Sequence, residues 1–372
     1  MIRVLHIIQA TPFGGAQRTT LNLADCERRS GVDARMAILY HDPAYLRALQ
    51  ERAIPAICVT GRPCDPRGWA RLRAGINRVN PDIIILHMAL LWSSGVLAWG
   101  VGKKCPWVYL AHSYPPLLPS LKHRLTRRLL QRHLNAVIGV SRSVTQAMRP
   151  YFGPSPKIFR TIYNGIAAAD LIDRPPARSP RQAGPAAGRP RIGMATRFAP
   201  DKGIREFIDL IPAMSRLLPE AHFVLAGDGP LLPWARRYAA ARGLTGRLEL
   251  PGFIHDVSRF WRGLDLALFT APREPFGLRI IEPQAAGVVV VGYQNGSGSD
   301  ELIVPGETGV LVPWGDQETL ARACAAVWAD PAEYARLANA ARRRLQTGFS
   351  LERASRGYRD LYGELLRKGR GG

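Results

Sequence analysis

Two carboxylates bracket a short apolar segment in the second half of the chain. In "PREPFGLRIIEPQAAG", residues 272–287, Glu274 and Glu282 enclose a run that contains one glycine and one arginine. The segment reads as a loop that turns into a helix near Gly277 and Leu278. Amides at a helix start bind phosphate, and carboxylates accept hydrogen bonds from hydroxyls. The pattern predicts a site for a phosphorylated, hydroxyl-rich ligand, or else two surface glutamates of which Glu282 suits its helix N-terminus.

A glycine pair near the N-terminus is a second candidate for phosphate binding. "TPFGGAQRTTLNLA" places Gly14 and Gly15 between the first apolar run and the first helix. Amides at such a helix start lie in a positive potential that suits phosphate. The pattern is not G-x-G-x-x-G, so it supports dinucleotide binding only weakly. The alternative interpretation is an ordinary strand-to-helix turn.

Basic and glycine residues follow two apolar runs of the second half. In "ATRFAPDKGIREF" Arg197 and Lys202 stand five residues apart, where both could reach one diphosphate or could form a solvated basic loop. In "LAGDGPL" the glycines Gly227 and Gly229 form a tight turn, which lets another group approach the backbone closely. Each of these loops is therefore a candidate part of a diphosphate site.

The elements that position these loops alternate regularly. In the first half, amphipathic segments separate short apolar runs. The apolar runs are "RVLHII", "RMAILY", "PDIIILH", "WVYLAH" and "NAVIGVS". The same alternation restarts after a stretch rich in Pro, Ala, Arg and Gly, with "RIGMAT", "HFVLAGDG", "RLELPG", "LDLALFTA", "VVVVGY" and "TGVLVP". Apolar strands that alternate with helices predict parallel sheets covered on both faces. In such sheets ligands bind at the carboxyl ends of strands.

We therefore predict an α/β protein with two doubly wound domains in series. The expected boundaries are 1–166 for the first domain, 167–190 for a linker, 191–349 for the second domain and 350–372 for a final helix and tail. Two such domains that face each other would form a cleft, into which the candidate loops would project.

Charge and composition limit the possible functions. The 372-residue chain has a formal charge of +22, and residues 1–165 hold 23 Lys and Arg against 7 Asp and Glu. No acidic residue lies between Asp82 and Asp170. A field of this sign attracts nucleic acid, nucleotide phosphates or an anionic membrane surface. Five cysteines without a C-x-x-C pair argue against a disulfide framework or a zinc site and favour a reducing compartment.

Neither the N-terminus nor the longest apolar run predicts a membrane segment. "MIRVLHIIQATPFGG" has one basic residue, a short apolar run and no cleavage site, so no signal peptide is expected. Residues 83–102 could form a weak membrane span, but His87 and several small residues interrupt the run. A buried strand followed by a helix is the preferred interpretation. The expected location is the cytoplasm.

The motifs together resemble a known family. "EPFGLRIIE" resembles the E-x7-E motif of the retaining glycosyltransferases of family 4, which have the GT-B fold. "GGAQRTTLNLA", "YLAHSY", "GVSRSV", "IYNGI", "RFAPDKG", "LAGDGPL", "DELIVPGETGVLV" and "FSLERASRGYRDLY" are similar to other family segments in the same order. The resemblance covers nearly the whole chain. It implies two Rossmann-like domains facing across a cleft, with the last helix crossing back to the first domain.

The resemblance also implies roles for individual residues. Gly14 and Gly15 would approach the diphosphate of a nucleotide-sugar donor, and Arg197 and Lys202 would neutralise that diphosphate as it leaves. Glu274 would hold hydroxyls of the donor sugar, Glu282 would hold the ribose hydroxyls, and Gly227 would also bind the donor. The sugar and phosphate would be held by the backbone of Phe276, Gly277 and Leu278. His112 would line the donor sugar near its reacting carbon. The catalytic set is then His112, Glu274, Arg197 and Lys202.

Two prolines depart from the family's common pattern. Pro275 replaces a frequent glycine, and Pro283 follows Glu282 where alanine is usual. Because proline lacks an amide hydrogen, Pro283 is expected only within the first turn of the helix.

The predicted reaction is transfer of a sugar from a nucleotide-diphosphate-sugar to a hydroxyl acceptor, in lipopolysaccharide, exopolysaccharide or glycolipid assembly. No D-x-D motif is present, so no metal or other cofactor is implied. The alternatives are a glycoside hydrolase, whose two carboxylates flank the scissile bond, and a basic nucleic-acid-binding protein. Phosphate-directed groups argue against the first. Because the chain shows no zinc-finger or aromatic RNA-binding signature, nucleic acid is not an expected partner.

A basic amphipathic segment suggests where the acceptor is. In "LPSLKHRLTRRLLQRHL", residues 118–134, one helical side carries Leu121, Leu125, Leu129 and Leu134. Much of the remaining surface is basic, and it carries Lys122, Arg124, Arg127, Arg128 and Arg132. The leucines can pack on the first sheet, or the segment can dock on an anionic cytoplasmic leaflet. The second interpretation predicts a peripheral membrane protein with a lipid-linked or saccharide acceptor.

Overall fold

A computed structural model describes residues 1–9, 14–39, 42–59, 66–87, 105–116, 120–154, 156–167 and 189–369. The chain divides into two compact units. The first comprises Met1–Gly165 and Leu351–Gly372, and the second comprises Ile166–Ser350. Most of the predicted linker, residues 168–188, lies outside the described residues.

The first unit is built on a seven-stranded sheet in which all strands are parallel. The strands are β1 Arg3–Gln9, β2 Asp33–Leu39, β3 Ala56–Val59, β4 Ile83–His87, β5 Trp107–Ala111, β6 Leu134–Gly139 and β7 Ile158–Thr161. The helices are α1 Gly15–Arg29, α2 Pro43–Glu51, α3 Pro66–Val79, α4 Leu121–Gln131 and α5 Arg142–Phe152, and the C-terminal helix Leu351–Gly369 belongs to the same unit. The strand order is β3-β2-β1-β4-β5-β6-β7.

The central strands of this sheet are buried on both faces. All five residues of β4 are buried, as are five of the seven in β1. This is the packing that continuous apolar runs predict for a parallel sheet. The strand at the start of the 83–102 run is therefore confirmed, whereas its predicted helix lies outside the described residues. Over the described ranges, no helix combines the length and hydropathy needed to cross a membrane.

The second unit is built on a six-stranded parallel sheet. Its strands are β8 Arg191–Ala195, β9 His222–Ala226, β10 Leu248–Glu249, β11 Leu266–Phe269, β12 Val289–Gln294 and β13 Val310–Pro313. Its helices are α6 Ile204–Leu217, α7 Leu232–Ala241, α8 Val257–Arg262, α9 Leu278–Ala285, α10 Gln317–Ala329 and α11 Pro331–Gly348, so the C-terminal helix Leu351–Gly369 is α12. Ile192, Phe223, Leu268 and Val291, on four neighbouring strands, belong to one buried core.

Both sheets place their first strand at a topological switch point. β1 pairs with β2 on one side and β4 on the other, and β8 pairs with β9 and β11 in the same way. Loops that leave neighbouring strands in opposite directions open a crevice at the carboxyl edge of a sheet. The candidate loops after β1, β8 and β11 begin at these edges. The predicted α/β class with two doubly wound sheets is confirmed.

Candidate functional site

The loop after β11 turns into α9 at a residue that must be glycine. Gly277 precedes α9 with φ of 118°, in the region that side chains disfavour. A Cβ there would also lie 3.1 Å from Ile280 Cδ1 and 3.2 Å from Leu302 Cδ1. Because Gly277 offers no side-chain cap, the first amides of α9 start without a side-chain acceptor from that residue. The predicted loop-to-helix turn is therefore present.

A buried arginine holds Glu274 in this loop. Arg279 is 8% exposed, and its guanidinium donates to Glu274 Oε2 from Nε at 3.1 Å and also from Nη2. Its Nη1 donates to Thr196 Oγ1 at 2.8 Å and to the carbonyl oxygen of Lys202 at 3.1 Å. One guanidinium thus ties the loop after β11 to the loop after β8, since planar arginine can satisfy several acceptors at once.

Lys202 lies in the same cluster. Its ammonium is 3.8 Å from Glu274 Oε2 and 2.9 Å from Asp201 Oδ2. Burial alone would raise the pKa of Asp201, but the hydrogen bond and charge of Lys202 lower it. Lys202 and Glu274 are therefore in contact, as the predicted common site requires. Arg197, on the same loop as Lys202, has an exposed side chain.

The loop after β12 supports Glu274 from another side. The amide of Glu274 donates to Ser297 Oγ at 3.0 Å. Asn295 binds this loop to the carbonyl oxygen of Ala271 through Nδ2 at 2.9 Å, and Asp300 accepts from the amide of Gly296 at 2.8 Å. The "NGSGSD" stretch thus forms hydrogen bonds within itself and to the Glu274 loop. This support was not predicted, because short polar loops carry no periodicity.

Glu282 lies on α9 with its carboxylate beside an indole. Trp261, which is 1% exposed, donates from Nε1 to Glu282 Oε2 at 3.1 Å. This contact orients the carboxylate that the family resemblance assigns to the ribose. Pro283 departs from expectation: it is the sixth residue of α9, beyond the first turn. The helix ends two residues later, at Ala285, so it loses one hydrogen bond near its end rather than in a long interior.

The space beside the glycine turn after β9 is filled by the backbone of another loop. Gly227 has φ of 129°, and a Cβ there would lie 1.8 Å from the carbonyl oxygen of Thr196. Gly229 has φ of 146°, and a Cβ there would lie 2.6 Å from the carbonyl oxygen of Phe198. The close approach predicted for these glycines is therefore made by the loop that carries Arg197. A donor-binding role for Gly227 stays a prediction.

In the first unit, Gly14 and Gly15 lie at the start of α1. Gly14 is the residue before the helix and Gly15 is its first residue, and both are exposed. The amide of Gly14 donates to Gln17 Oε1 at 3.2 Å, and Gln17 donates back to the carbonyl oxygen of Gln9 at 2.9 Å. The predicted helix start is present, and Gln17 holds it against the end of β1. Phosphate binding here stays a prediction.

His112 follows β5 and is held by a second histidine. Its Nε2 lies 3.0 Å from Nδ1 of His87, the last residue of β4. The two rings are stacked, with centroids 5.3 Å apart. Burial lowers the pKa of His112 to about 4, so this imidazole is neutral at pH 7. His112 is therefore not expected to act through a positive charge, but its ring can still form hydrogen bonds.

The structure contains functional groups that the sequence interpretation missed. Arg279 was noted only as an arginine inside an apolar run, and its burial next to Glu274 is a tertiary feature. His87 was noted only as an interruption of the 83–102 run, yet it contacts His112. Within the described ranges, no three His, Cys, Asp or Glu side chains are grouped as ligands for a metal. The expectation that no metal is needed remains untested.

Family models match both halves of the chain. Residues 13–170 match the model described as Glycosyltransferase Family 4, and residues 177–344 match the model described as Glycosyl transferases group 1. The chain is 31% identical to glycogen synthase of Mycobacterium tuberculosis over 247 residues, which is 63% of this chain and 55% of that protein. It is 30% identical to the lipopolysaccharide core biosynthesis glycosyltransferase LpsE of Rhizobium meliloti over 199 residues, which is 54% and 55% of the two chains.

The fold matches that of a solved structure over nearly the whole chain. HepE of Anabaena, solved in complex with UDP-glucose, superposes with a TM-score of 0.83 over 98% of this chain and 100% of that one, at 22% identity. The chain spans about half the length of the curated relatives it matches. The two family models together account for residues 13–170 and 177–344. The chain therefore belongs to the glycosyltransferases of the family 4 type, with the GT-B fold.

Proposed function

We propose that the chain transfers a sugar from a nucleotide-diphosphate-sugar to a hydroxyl acceptor, with retention of configuration. The observation that carries the proposal is the Glu274 cluster: a carboxylate held by Arg279 and Lys202 next to a helix start that only glycine can form. Glu274 would accept hydrogen bonds from hydroxyls of the donor sugar. The first amides of α9 would bind the phosphates, because a helix N-terminus favours anions.

The proposed chemistry depends on stabilising the leaving diphosphate. Negative charge grows on that group as the bond to the sugar breaks, so preorganised positive charge lowers the barrier. Lys202 is held near the site by Asp201 and Glu274, and the exposed Arg197 would supply a second positive charge to the diphosphate. From the first unit, Gly15 would contact the diphosphate and His112 the sugar. No metal is assigned a step.

The donor class is supported by the relatives. HepE was solved with UDP-glucose, and the LpsE relative is a lipopolysaccharide core biosynthesis glycosyltransferase. We therefore propose a nucleoside diphosphate sugar as donor and a surface polysaccharide or glycolipid intermediate as acceptor. The test is a thermal-shift screen of the full chain against UDP-, GDP- and ADP-sugars, followed by an assay of nucleoside diphosphate release. A ligand at 100 times its Kd should stabilise the protein by about 2.7 kcal/mol.

Replacing Glu282 by alanine should chiefly weaken donor binding. The carboxylate oriented by Trp261 is assigned to the ribose, whose contacts are the same before and during the reaction. We expect the donor Kd to rise about tenfold, which removes about 1.4 kcal/mol of the ligand-induced stabilisation, with kcat changed little. The measurement is the thermal shift with and without nucleotide-sugar.

The matched control for this variant is Glu307→Ala, because Glu307 is an exposed glutamate of the same unit. It should leave the ligand-induced shift unchanged. If Glu282→Ala retains the full shift, Glu282 is not the ribose ligand. If no nucleotide-sugar shifts the wild-type protein, and DNA or RNA does so in a salt-dependent way, the transferase proposal fails.

The first unit is also proposed to dock on an anionic membrane surface through α4. Leu121, Leu125 and Leu129 repeat every four residues and are 70%, 48% and 39% exposed. They do not pack on the sheet, which was the alternative expectation, and the buried Leu134 belongs to β6. An exposed apolar row on a basic helix is typical of helices that lie in a membrane interface.

The basic residues of α4 do not all face solvent. Arg124, Arg128 and Arg132 are exposed beside the leucines. Arg127 instead donates to the carbonyl oxygen of Tyr151 at 2.8 Å and lies over that ring. It therefore binds α4 to α5, which differs from the membrane-facing role expected for it. The side chain of Lys122 lies outside the described residues.

Replacing Arg124, Arg128 and Arg132 by glutamine should weaken binding to anionic vesicles. Each basic residue near such a surface is worth about 1 kcal/mol at moderate salt, so the triple variant should lose at least about a hundredfold in partitioning. The measurement is co-sedimentation with vesicles of phosphatidylglycerol and phosphatidylcholine. Binding by the wild type should decrease as salt screens the charges.

A triple variant of Arg236, Arg237 and Arg242 provides the charge-matched control, because these exposed arginines lie in the second unit. It should bind vesicles like the wild type. Leu125→Gln should weaken binding at high and low salt alike, since it removes apolar rather than charged contact. Equal binding of the wild type to neutral vesicles, or none to anionic vesicles at low salt, would contradict membrane docking.

A further inference from the structure

A row of hydrogen-bonded side chains connects α12 to His112. The hydroxyl of Tyr362 donates to Glu27 Oε1 at 2.6 Å, and Glu27 Oε2 lies 2.8 Å from Nε2 of His6. Nδ1 of His6 lies 2.9 Å from Nε2 of His87, whose Nδ1 lies 3.0 Å from Nε2 of His112. We call these five residues the histidine relay. Its members come from α12, α1, β1 and β4 and from the loop after β5.

The relay is closed to water except at His112. Tyr362, Glu27 and His6 have no exposed surface, and His87 is 1% exposed. Each polar atom must therefore be satisfied by a neighbour within the protein. Tyr358, one turn before Tyr362 on α12, and Cys26, beside Glu27 on α1, are further titratable side chains that interact with the charge of Glu27. Burial raises the pKa of Tyr362 well above its usual value, so its hydroxyl stays protonated and donates to the carboxylate.

Two imidazoles of the relay are neutral at pH 7. Burial, and secondarily the neighbouring His6 and His112, lower the pKa of His87 well below its usual value. Burial lowers the pKa of His112 to about 4. A neutral imidazole donates from one nitrogen and accepts at the other. The open question for His87 and His112 is therefore which nitrogen of each ring carries the hydrogen.

Thr20 decides the direction of these hydrogen bonds. Its Oγ1 lies 2.8 Å from the carbonyl oxygen of Ala16 and 2.9 Å from Nδ1 of His87. The hydroxyl has one hydrogen, and the carbonyl can only accept, so the hydrogen goes to Ala16. The oxygen of Thr20 then presents a lone pair to His87. Nδ1 of His87 must carry a hydrogen, since two lone pairs at 2.9 Å would repel each other.

The positions of the other hydrogens in the relay follow from the hydrogen on His87 Nδ1. With its hydrogen on Nδ1, His87 accepts at Nε2 from the Nδ1–H of His6. The other nitrogen of His6 lies 2.8 Å from Oε2 of Glu27, so one proton lies between these two atoms. His6 and Glu27 share that proton, and His6 carries its other hydrogen on Nδ1. The pair leaves no net charge in the interior, whereas an ionised Glu27 alone would be an uncompensated buried charge.

We infer that Thr20, together with the buried His6–Glu27 pair, orients the relay so that His112 accepts at Nε2 and carries its hydrogen on Nδ1. His87 shares its Nδ1–H between Thr20 and His112. His112 can then donate from Nδ1 to an oxygen of the nucleotide-sugar donor, a role that depends on the function proposed above. His6, Glu27, His87 and Tyr362 act on the reaction only through His112, so they are positioning residues.

The tautomers can be read directly in the free protein. Long-range proton–nitrogen NMR spectra of the full chain labelled with nitrogen-15 histidine distinguish protonated from unprotonated ring nitrogens. His112→Gln and His87→Gln assign the signals. At pH 7 we expect His112, His87 and His6 each to carry a hydrogen on Nδ1. A hydrogen on Nε2 of His112 would overturn the inference.

The link to turnover is tested by cutting the relay at His87. In His87→Phe we expect His112 to become a mixture of tautomers and kcat to fall about tenfold, the effect of losing about one hydrogen bond. The donor-induced thermal shift should persist. His87→Gln should recover part of the rate, because its amide can accept from His6 and donate to His112.

The control is Tyr358→Phe, which removes a neighbouring buried hydroxyl that has no described hydrogen bond to Glu27. It should change neither the His112 signal nor kcat. If His87→Phe has wild-type kcat, the relay does not position His112 for the reaction. If His87→Phe does not fold, the wild-type spectrum and His87→Gln still decide. Absence of turnover in the wild type with every nucleotide-sugar would overturn the proposed function but not the tautomer assignment.

Discussion

Replacing Glu274 by glutamine should lower kcat about a hundredfold or more, while the Kd for the nucleotide-sugar changes by less than about threefold. Removing one preorganised group that acts on developing charge typically costs 10²–10³ in kcat. Positive charge develops on the donor sugar as the diphosphate leaves, and the Glu274 carboxylate is held beside that sugar in the proposed function. Glutamine keeps the shape but removes the charge. Steady-state kinetics and donor thermal shifts measure the two quantities separately.

Glu307→Gln is the control for this prediction, since it makes the same chemical change at an exposed position of the same unit. It should keep wild-type kinetics. Unchanged kcat in Glu274→Gln would remove Glu274 from the catalytic site. A loss of donor binding with an unchanged kcat would show that the carboxylate binds the ground state as tightly as the transition state.

Replacing Arg279 by methionine should lower the free energy of unfolding by about 3 kcal/mol. The change leaves the Glu274 carboxylate, 14% exposed, without its guanidinium partner, and leaves Thr196 Oγ1 and the Lys202 carbonyl without a donor. Breaking a buried ion pair by removing one partner typically costs 3–5 kcal/mol, and Glu274 keeps Lys202 at 3.8 Å, which places the value at the low end. Urea unfolding followed by circular dichroism measures the change.

Two further variants sharpen this test. Arg273→Met changes an exposed arginine of the same loop and should alter stability by no more than about 0.5 kcal/mol. The double variant Glu274→Gln/Arg279→Met removes both charges and should be more stable than Arg279→Met alone, because no unpaired carboxylate remains. Its activity should stay low. A double variant as unstable as the sum of the single ones would contradict the pairing.

Strands that are buried on both faces carry a continuous apolar pattern, which made them predictable from the sequence. The central strands β1, β4 and β5 are almost wholly buried, so almost every residue in them had to be apolar. The edge strand β7 was not predicted, and all four of its residues are only half-buried. Because β7 is half-buried, it can contain the polar residues Arg160 and Thr161, so its sequence resembles that of a loop. The edge strand β13 was predicted because its residues are apolar although only one of them is buried.

Local sequence also determined the parts of the site that a few adjacent residues form. Gly277 with the α9 start, the Gly14–Gly15 helix start and the glycine turn at Gly227 are each formed within one short segment, and a glycine at positive φ leaves a visible mark on a sequence. The Pro283 expectation was wrong because α9 begins at Leu278, which places Pro283 in the second turn of the helix.

Only the tertiary structure decided which side chains meet. Arg279 binds Thr196, 83 residues away, and Tyr362 binds Glu27, 335 residues away. Neither pair has a spacing that a pattern could reveal, because these contacts depend on which strands are neighbours in the sheet and which helix covers them. The sequence by itself determined two doubly wound sheets, the glycine turns and the residue types at their carboxyl ends. The support of Glu274 by Arg279, and of His112 by buried histidines, arises only when the folded chain excludes water and each buried polar atom must find its partners within the protein.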